Sequence, residues 1–259
     1  QNLNDDTNAL FEINEYLKLE NVEAAKYYKL ILFNKGLLER KLGDIKSAIK
    51  TNEDFITKFA DDKDYFSVAL FSLIELSGEA RQYDKFIKYI EQLITSEPLS
   101  VNAANAKFLA LKYYVEQKQY SNAVKFAEDI ILKNGNYQYI DEIYYIAAKI
   151  YDTDTTAANL EANQAKAAEY FKKIVSDYKK SERFEESLYL ISVKDYNSKN
   201  FTEAEKNLKL FIESYPKSSF IIDAYIYLID LQMNKQDYPT ADKTLEKLTG
   251  NYALKGLRA

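Results

Sequence analysis

Apolar residues recur at three- and four-residue spacing along most of the chain, and the stretch 201–241 contains one full period of the pattern. Ala204, Leu208 and Phe211 form a single apolar stripe, which predicts an amphipathic helix. A second amphipathic helix is predicted over residues 219–234. Two such helices cannot bury both apolar faces by themselves, so the pattern predicts a stack of helical hairpins in which each needs its neighbours.

Signals at the helix ends support this division. Thr202 followed by Glu205 predicts a capping box at the start of the first helix, and Pro216 ends that helix because proline has no amide hydrogen. Phe201 returns thirty-seven residues later as Tyr238, a separation typical of stacked helical repeats.

The same period divides the chain from end to end. We expect a single domain, 1–259, with a partial N-terminal repeat at 1–20 and hairpins at 29–60, 66–98, 103–135, 139–180, 185–217 and 221–250. Gly43 lies where a tight helix-to-helix turn favours glycine. The stretch from Asp152 to Asn163 predicts an exposed, mobile insertion in the hairpin 139–180. No capping pattern ends the stack, so we expect the chain to be a fragment of a longer protein.

Composition agrees with the predicted helical fold and argues against some classes of function. Six glycines and three prolines are few for 259 residues and favour an all-α fold. The net charge of −5 argues against a nucleic-acid partner, because phosphate contacts need a concentrated basic surface. The most apolar stretch, residues 220–231, is interrupted by Asp223 and Asp230, so no transmembrane segment is predicted.

Cysteine and histidine are both absent. Their absence excludes disulfides, thiolate ligands and histidine-dependent catalysis within this chain. We therefore predict no catalytic residue, no metal site and no cofactor.

Acidic residues close in sequence are the remaining candidates for chemistry. The pairs Asp61-Asp62 and Glu185-Glu186 could serve as an acid and a base, but at helix ends such pairs are usually solvated charges. The spacing of Asp152 and Asp154 suggests a calcium loop, yet the glycine at the sixth position and the glutamate at the twelfth are both missing.

The phase of the helices resembles the tetratricopeptide repeat family, which places small residues at the eighth and twentieth positions, an aromatic near the seventeenth and proline at the thirty-second. The matching residues are Gly36 and Ala148 (eighth), Ala48, Ala123, Ala167, Ala204 and Ala241 (twentieth), Tyr83, Tyr120, Phe201 and Tyr238 (seventeenth), and Pro98 and Pro216 (thirty-second). Phe86 departs from the pattern at a twentieth position. The resemblance implies a right-handed superhelical solenoid of antiparallel helix pairs that binds proteins.

In this family the fifth position of each first helix faces the concave groove, where the sequence has a ladder of aromatic residues: Phe33, Phe71, Phe108, Tyr145 and Tyr189, followed by Ile226. The ladder either packs the stack or anchors a protein or peptide partner. We also expect Tyr196 in the groove. We expect the C-terminal half of the groove to be acidic, because the lysine there, Lys149, is outnumbered by Glu142, Asp152, Glu186, Asp223 and Asp230. The first hairpin should instead be basic because of Arg40 and Lys41. The lysine and asparagine clamp by which some members bind chaperone tails is absent.

A narrower resemblance involves the ends of the hairpins. Tyr215-Pro216-Lys217-Ser218 and its degenerate copies at 97–100 and 178–181 resemble bacterial envelope members of the BamD and YbgF classes. This resemblance implies an accessory subunit of an envelope assembly or transport complex, in the periplasm or at the outer membrane. Many such proteins have a lipid anchor, which would lie upstream of Gln1. The alternatives are a cytoplasmic adaptor or regulator, and a helical accessory domain of a larger enzyme or glycan-binding machine.

Overall fold

The structure, a computed structural model, describes residues 3–62, 65–153 and 160–251. Thirteen α-helices account for most of these residues. They are α1 Leu3–Tyr16, α2 Tyr28–Lys41, α3 Ile45–Lys58, α4 Phe66–Glu79, α5 Tyr83–Ser96, α6 Val101–Glu116, α7 Tyr120–Lys133, α8 Ile140–Thr153, α9 Leu160–Asp177, α10 Phe184–Asn197, α11 Phe201–Ser214, α12 Ile221–Asn234 and α13 Tyr238–Asn251, with a short 3-10 helix at Val22–Ala24. No β-strand occurs in the described ranges, so the all-α prediction is confirmed.

The chain divides into two compact units, Gln1–Tyr137 and Gln138–Ala259. In the first unit α2 pairs with α3, α4 with α5 and α6 with α7, and each pair packs on the next. In the second unit α8 pairs with α9, α10 with α11 and α12 with α13 in the same way. Each unit is therefore a short helical solenoid.

The turn between the two helices of a hairpin has the same backbone conformation in five hairpins. Its left-handed residue is Gly43, Arg81, Lys118, Lys199 or Gln236, with φ between 56° and 82°. The amide of the following residue bonds back to the carbonyl five residues earlier, as from Gln119 to Tyr114 at 2.8 Å. This is the Schellman arrangement. Only the first of these turns uses glycine, which is why the sequence predicted one turn and not the other four.

Two predictions of local structure need correction. α11 begins at Phe201 with Asn200 as its N-cap, and no side chain caps it, so Thr202 and Glu205 form no capping box. The insertion is also shorter than expected, because α8 continues through Thr153 and α9 begins at Leu160. Asn163 is accordingly a buried helical residue. Residues 154–159 lie outside the described ranges, so the exposure and mobility of the insertion stay predictions.

Close contacts between paired helices follow the predicted pattern of small residues. A Cβ added at Gly36 of α2 would come within 2.7 Å of the Asn52 side chain on α3, so a larger residue at this crossing would force the buried Asn52 side chain to shift. In the next hairpin Phe86 stands where the others have alanine, and Gly78 of α4 lies against its ring. The large residue on one helix is accommodated by a small one on its partner.

A fully buried lysine fastens two turns of the first unit. The ammonium group of Lys107, on α6, lies 2.7 Å from a carboxylate oxygen of Asp129 on α7. It also donates to the Pro98 carbonyl at 3.1 Å and to the Asn134 side chain at 3.3 Å. Asp129 has a second cation, Lys133, at 2.5 Å. The buried charge is thus paired and hydrogen-bonded, as burial of an ammonium group requires.

Candidate protein-binding surface

The first helices of successive hairpins also contact one another directly, α4 with α6 and α10 with α12. Their outward residues therefore form a continuous surface in each unit, which we call the first-helix face. In α12, for example, Asp223, Ile226, Asp230 and Met233 lie on this face, since steps of three and four residues keep to one side of a helix.

Three aromatic residues of the predicted ladder lie in the first unit. Phe33 is half-buried and packs edge-to-face on Phe55 at 5.6 Å and on Tyr65 at 5.0 Å between ring centroids. Phe71 is also half-buried and packs against the hydrophobic core. Phe108 is 7% exposed, and the Lys112 ammonium lies 4.2 Å from its ring centroid. Each of these rings contributes to packing, and Phe108 offers almost no surface to a partner.

Aliphatic side chains are the larger exposed apolar groups on this face. Leu30 and Leu37 on α2 are 41% and 44% exposed, and Val68 on α4 is 42% exposed. Leu30 and Val68 occupy the second position of their first helices. The sequence already shows apolar residues there, but the prediction of the binding surface rested on the aromatic ladder.

The basic residues expected at the first hairpin are already paired. Arg40 reaches from α2 to α4 and binds Glu75 at 2.5 Å and Glu79 at 2.7 Å. Lys41 binds Asp6 of α1 at 2.6 Å. These cations join neighbouring helices, so they are poorly placed to act as a free basic end of the groove.

In the second unit the ladder tyrosines are half-buried and linked to the next hairpin. The Arg183 guanidinium lies 4.8 Å from the ring centroid of Tyr145, and burial together with a hydrogen bond to Glu186 raises the pKa of Tyr145. Tyr189 stacks on Phe220 with ring centroids 4.6 Å apart. Burial, with a smaller contribution from the Asp223 charge, raises the pKa of Tyr189 to about 12. Both phenols stay protonated at neutral pH and act as neutral contact groups.

Tyr196 occupies the last turn of α10 and links it to α12. Its hydroxyl donates to Asp230, and its ring lies edge-to-face on Tyr227 at 5.0 Å. The hydrogen bond to Asp230, followed by burial, raises the pKa of Tyr196. Asp230 also accepts from the Asn234 amide at 2.8 Å.

Fewer acidic residues of this face lack a cationic partner than the sequence suggested. Arg183 binds both oxygens of Glu142, at 2.5 and 3.0 Å. Lys194 binds Asp152 at 2.5 Å. Sequence reasoning missed both cations, because Arg183 lies in the turn before α10 and Lys194 is one position away from the face.

Lys149 supplies a third cation, 3.3 Å from Glu186. Among the residues that the structure describes, Asp223 and Asp230 have no cationic partner. Of the acidic residues predicted in the groove, those left without a cation are thus the two on α12. There they alternate with half-exposed aliphatic side chains, because Ile226 is 53% exposed and Met233 is 47% exposed.

Of the carboxylates considered for catalysis or metal binding, Asp62, Glu186 and Asp152 have structural roles. Asp62 accepts from Lys29 and from the Tyr65 amide, and Glu186 and Asp152 are paired as above. Asp154 lies outside the described residues. Across the three described ranges, no three acidic residues come together in an arrangement that could hold a metal ion. In the same ranges, no helix has the length and apolar character needed to cross a membrane.

Comparison with solved structures identifies the architecture. A tetratricopeptide repeat protein from Parabacteroides merdae is similar over 86% of this chain and 79% of its own, with a TM-score of 0.51 and 16% sequence identity. The fold is a tetratricopeptide-repeat fold. At this identity the likeness concerns the fold alone, which agrees with the family resemblance of the sequence.

Two further solved structures are similar at lower TM-scores. The similarity to PilF from Pseudomonas aeruginosa extends over 88% of this chain and 93% of the PilF chain, with 14% identity and a TM-score of 0.46. The similarity to PilW, described as a widely conserved type IV pilus biogenesis factor, extends over 90% of this chain and 97% of the PilW chain, with 11% identity and a TM-score of 0.42. No protein-family model matches the sequence. No curated protein matches it either.

Proposed function

We propose that the chain is a non-catalytic scaffold that binds a protein or peptide partner on its first-helix faces. The observation that carries this proposal is the exposed face of α12, where Ile226 and Met233 lie beside the unbalanced carboxylates of Asp223 and Asp230. Half-exposed aliphatic groups beside carboxylates that have no cation form a surface whose apolar and charged parts a bound partner would both cover.

The chemistry of this face specifies the partner. Asp223 and Asp230 are seven residues apart, or about 10 Å along the helix axis. A matching segment has apolar side chains that cover Ile226 and Met233, and two basic residues at a similar spacing. The charges would mainly set the rate and orientation of association, and the apolar contacts most of the affinity. Nucleic acid is not a candidate, because the charge has the wrong sign.

The first experiment is to capture partners from native membranes and cell extract, to identify them by mass spectrometry, and to measure the affinity of the purified pair. Ile226→Ala with Met233→Ala should weaken binding by about 2 kcal/mol or more if these residues are hot spots. The melting temperature should barely change, since both side chains are half exposed.

The matched control is Leu210→Ala with Leu245→Ala, which removes aliphatic groups of similar exposure, 43% and 46%, from the second helices α11 and α13. The control should bind like the wild type. Equal affinity losses in the two double variants, or none in either, would contradict a site on the first-helix face of α12.

The tyrosine ladder needs a separate test, because its rings also pack. Tyr145→Ala with Tyr189→Ala should weaken partner binding by about 2 kcal/mol or more if the ladder anchors the partner. Its effect on the melting temperature is measured on the same sample. A large fall in melting temperature with unchanged affinity would assign the ladder to packing alone and remove Tyr145 and Tyr189 from the site.

For the cellular role, we propose an accessory subunit of a bacterial envelope assembly or transport complex, on the strength of the Tyr215-Pro216-Lys217-Ser218 resemblance. Fractionation of the full-length native gene product tests this. Recovery with the outer membrane or periplasm is expected. Recovery in the cytosol would favour an adaptor or regulator, and covalent continuity with a catalytic domain would favour an accessory module.

A further inference from the structure

A cleft of about 820 Å³ lies in the second unit on the side opposite the first-helix face, between the second helices α11 and α13. Its floor is formed by α12, through Tyr225, Leu228 and Gln232. On α13 it is bordered by Thr240 and Thr244. Nothing in the proposed function uses this space.

The position of Thr244 explains why the cleft is open. It stands three residues after Ala241, and the residues in the same register of three other hairpins are aromatic: Tyr89, Phe126 and Tyr170. The rings at these positions fill the space against the first helix of their own hairpin. Phe126 stacks on Tyr114 with ring centroids 5.7 Å apart, and Tyr170 lies 6.1 Å from Tyr151.

The two other hairpins fill the position with polar groups that contact each other. Lys35 donates to Thr51 at 3.2 Å and to Glu39 at 2.6 Å. Asn207 donates to Asp195 at 3.5 Å. The last hairpin has Gln232 and Thr244 in the corresponding places, and neither side chain is large enough to fill the gap.

The floor of the cleft carries an unused polar atom. Gln232 is 2% exposed, and its Oε1 has no hydrogen-bond partner among the described residues. A buried acceptor without a partner costs free energy, so this floor is held at some cost to the fold.

The rim indicates the charge of that occupant. Glu53, on α3 of the first hairpin, binds two residues on α5 of the second: Lys85 at 2.8 Å and the hydroxyl of Tyr89 at 2.5 Å. In the register of the last hairpin, Glu53 is replaced by Lys209 of α11, while Lys85 and Tyr89 are replaced by the two threonines. At the place where the hydroxyl of such a ring would lie, the last hairpin therefore has a cation instead of a carboxylate.

Further cations lie on α13. Lys243 and Lys247 border the cleft and form no ion pair within the described part of the chain, while Lys209 is shared with Glu205 at 2.7 Å. Glu213 and Glu246 also lie on the rim. The three lysines and two glutamates of the rim nearly balance, so it is the place of Lys209, where Glu53 meets the ring hydroxyl of Tyr89 between the first and second hairpins, that favours negative charge in the occupant.

We propose that this cleft binds an aromatic side chain of a partner polypeptide, flanked in the partner sequence by acidic residues. The ring takes the space that Tyr89, Phe126 and Tyr170 fill in other hairpins, and the flanking carboxylates lie near Lys209, Lys243 and Lys247. This surface is separate from the first-helix face, so one scaffold offers two docking surfaces of opposite charge preference.

The test uses the whole chain and the blocked tripeptide acetyl-Glu-Tyr-Glu-amide as the probe. Binding is followed by chemical-shift changes in the NMR spectrum, which should be saturable and confined to the cleft, at Ile212, Thr240 and Thr244. A single ring supports a dissociation constant of about 1 mM. The peptides acetyl-Glu-Ala-Glu-amide and acetyl-Lys-Tyr-Lys-amide should each bind at least about threefold more weakly.

Two kinds of variant connect the binding to the cleft. Thr244→Tyr restores a ring from within the chain, so it should weaken the acidic probe at least about tenfold and raise the melting temperature. Thr249→Tyr, on the same helix at an exposed position, is the matched control and should leave binding unchanged. Lys209→Glu with Lys243→Glu keeps the space but reverses the charge, and should make the basic peptide bind better than the acidic one.

Several outcomes would overturn the proposal. They are no saturable shifts in the folded wild type, equal binding of the alanine peptide, and undiminished binding by Thr244→Tyr. Binding that appears only when residues 252–259 are deleted would assign the cleft to this chain's own C-terminal residues. Ile226→Ala with Met233→Ala should leave the tripeptide unaffected, so failure here and failure of the proposed function are separable.

Discussion

Lys107 allows a stringent test of how the first unit is held together. Replacing it by methionine keeps most of the volume of the side chain but removes the ammonium group that Asp129, Asn134 and the Pro98 carbonyl share. Breaking a buried ion pair by removing one partner commonly costs 3–5 kcal/mol, and the loss here should be about 2–3 kcal/mol because Lys133 still neutralises Asp129.

The measurement is native-state hydrogen exchange, which reports the opening free energy of each helix separately. Amides in α6 and α7 should open at a free energy lower by about 2–3 kcal/mol in Lys107→Met. Amides in α10, in the other unit, should not change, because distant sites are energetically independent.

Lys133→Met is the matched control. It removes a cation from the same carboxylate, but the Lys133 side chain is 43% exposed, so its loss should cost less than about 1 kcal/mol. If Lys107→Met also costs less than about 1 kcal/mol, the buried lysine does not hold the two turns and the reasoning is wrong.

The pKa of Asp129 gives a related prediction: burial alone would raise it, but the hydrogen bonds from Lys107 and Lys133 outweigh burial and lower it beneath the ordinary value of 3.8. Urea unfolding of the wild type and Asp129→Asn measures the difference in their free energies of unfolding. This difference should be constant at neutral pH and shrink only as the pH falls below about 3.8. A difference that is already lost at about pH 5–6 would contradict the prediction. A second prediction concerns the turns: Lys199→Gly should raise stability by about 0.5–1 kcal/mol in urea unfolding because glycine adopts the left-handed conformation without strain, whereas Lys206→Gly inside α11 should lower it by a similar amount. A destabilised Lys199→Gly would mean that the lysine side chain outweighs the strain.

The elements of the fold were largely predictable from sequence, because helix period, proline and small residues act locally. Helices and hairpins follow from stripes such as Ala204, Leu208 and Phe211. The four left-handed turns without glycine were not predictable, since neither their lysines nor the arginine and glutamine mark the conformation. Those turns are closed by backbone hydrogen bonds within each hairpin, which no side chain in the sequence announces.

The candidate surface was less predictable, because its character depends on which charges cancel. Glu142 and Arg183 lie forty-one residues apart, and the sequence alone does not say that they form an ion pair. Lys107 looks like an ordinary solvated lysine until its burial is seen. The missing ring of the cleft is visible when Thr244 is compared in register with Tyr89 and Phe126, but Thr51 and Asn207 share that register, so the structure was needed to show which hairpin is left open.

The repeated turn also bears on how such a chain changes its length by recombination. Arg81 and Lys118 have φ of 56° and 57°, and each is followed by glutamine and tyrosine. A crossover that removes residues 82–118 would rejoin Arg81 to Gln119 and Tyr120, which restores the parental Arg-Gln-Tyr junction after the loss of thirty-seven residues. Because no new junction is created, whole hairpins can be lost or duplicated as single inherited units, and selection can adjust the number of docking surfaces without first repairing a turn.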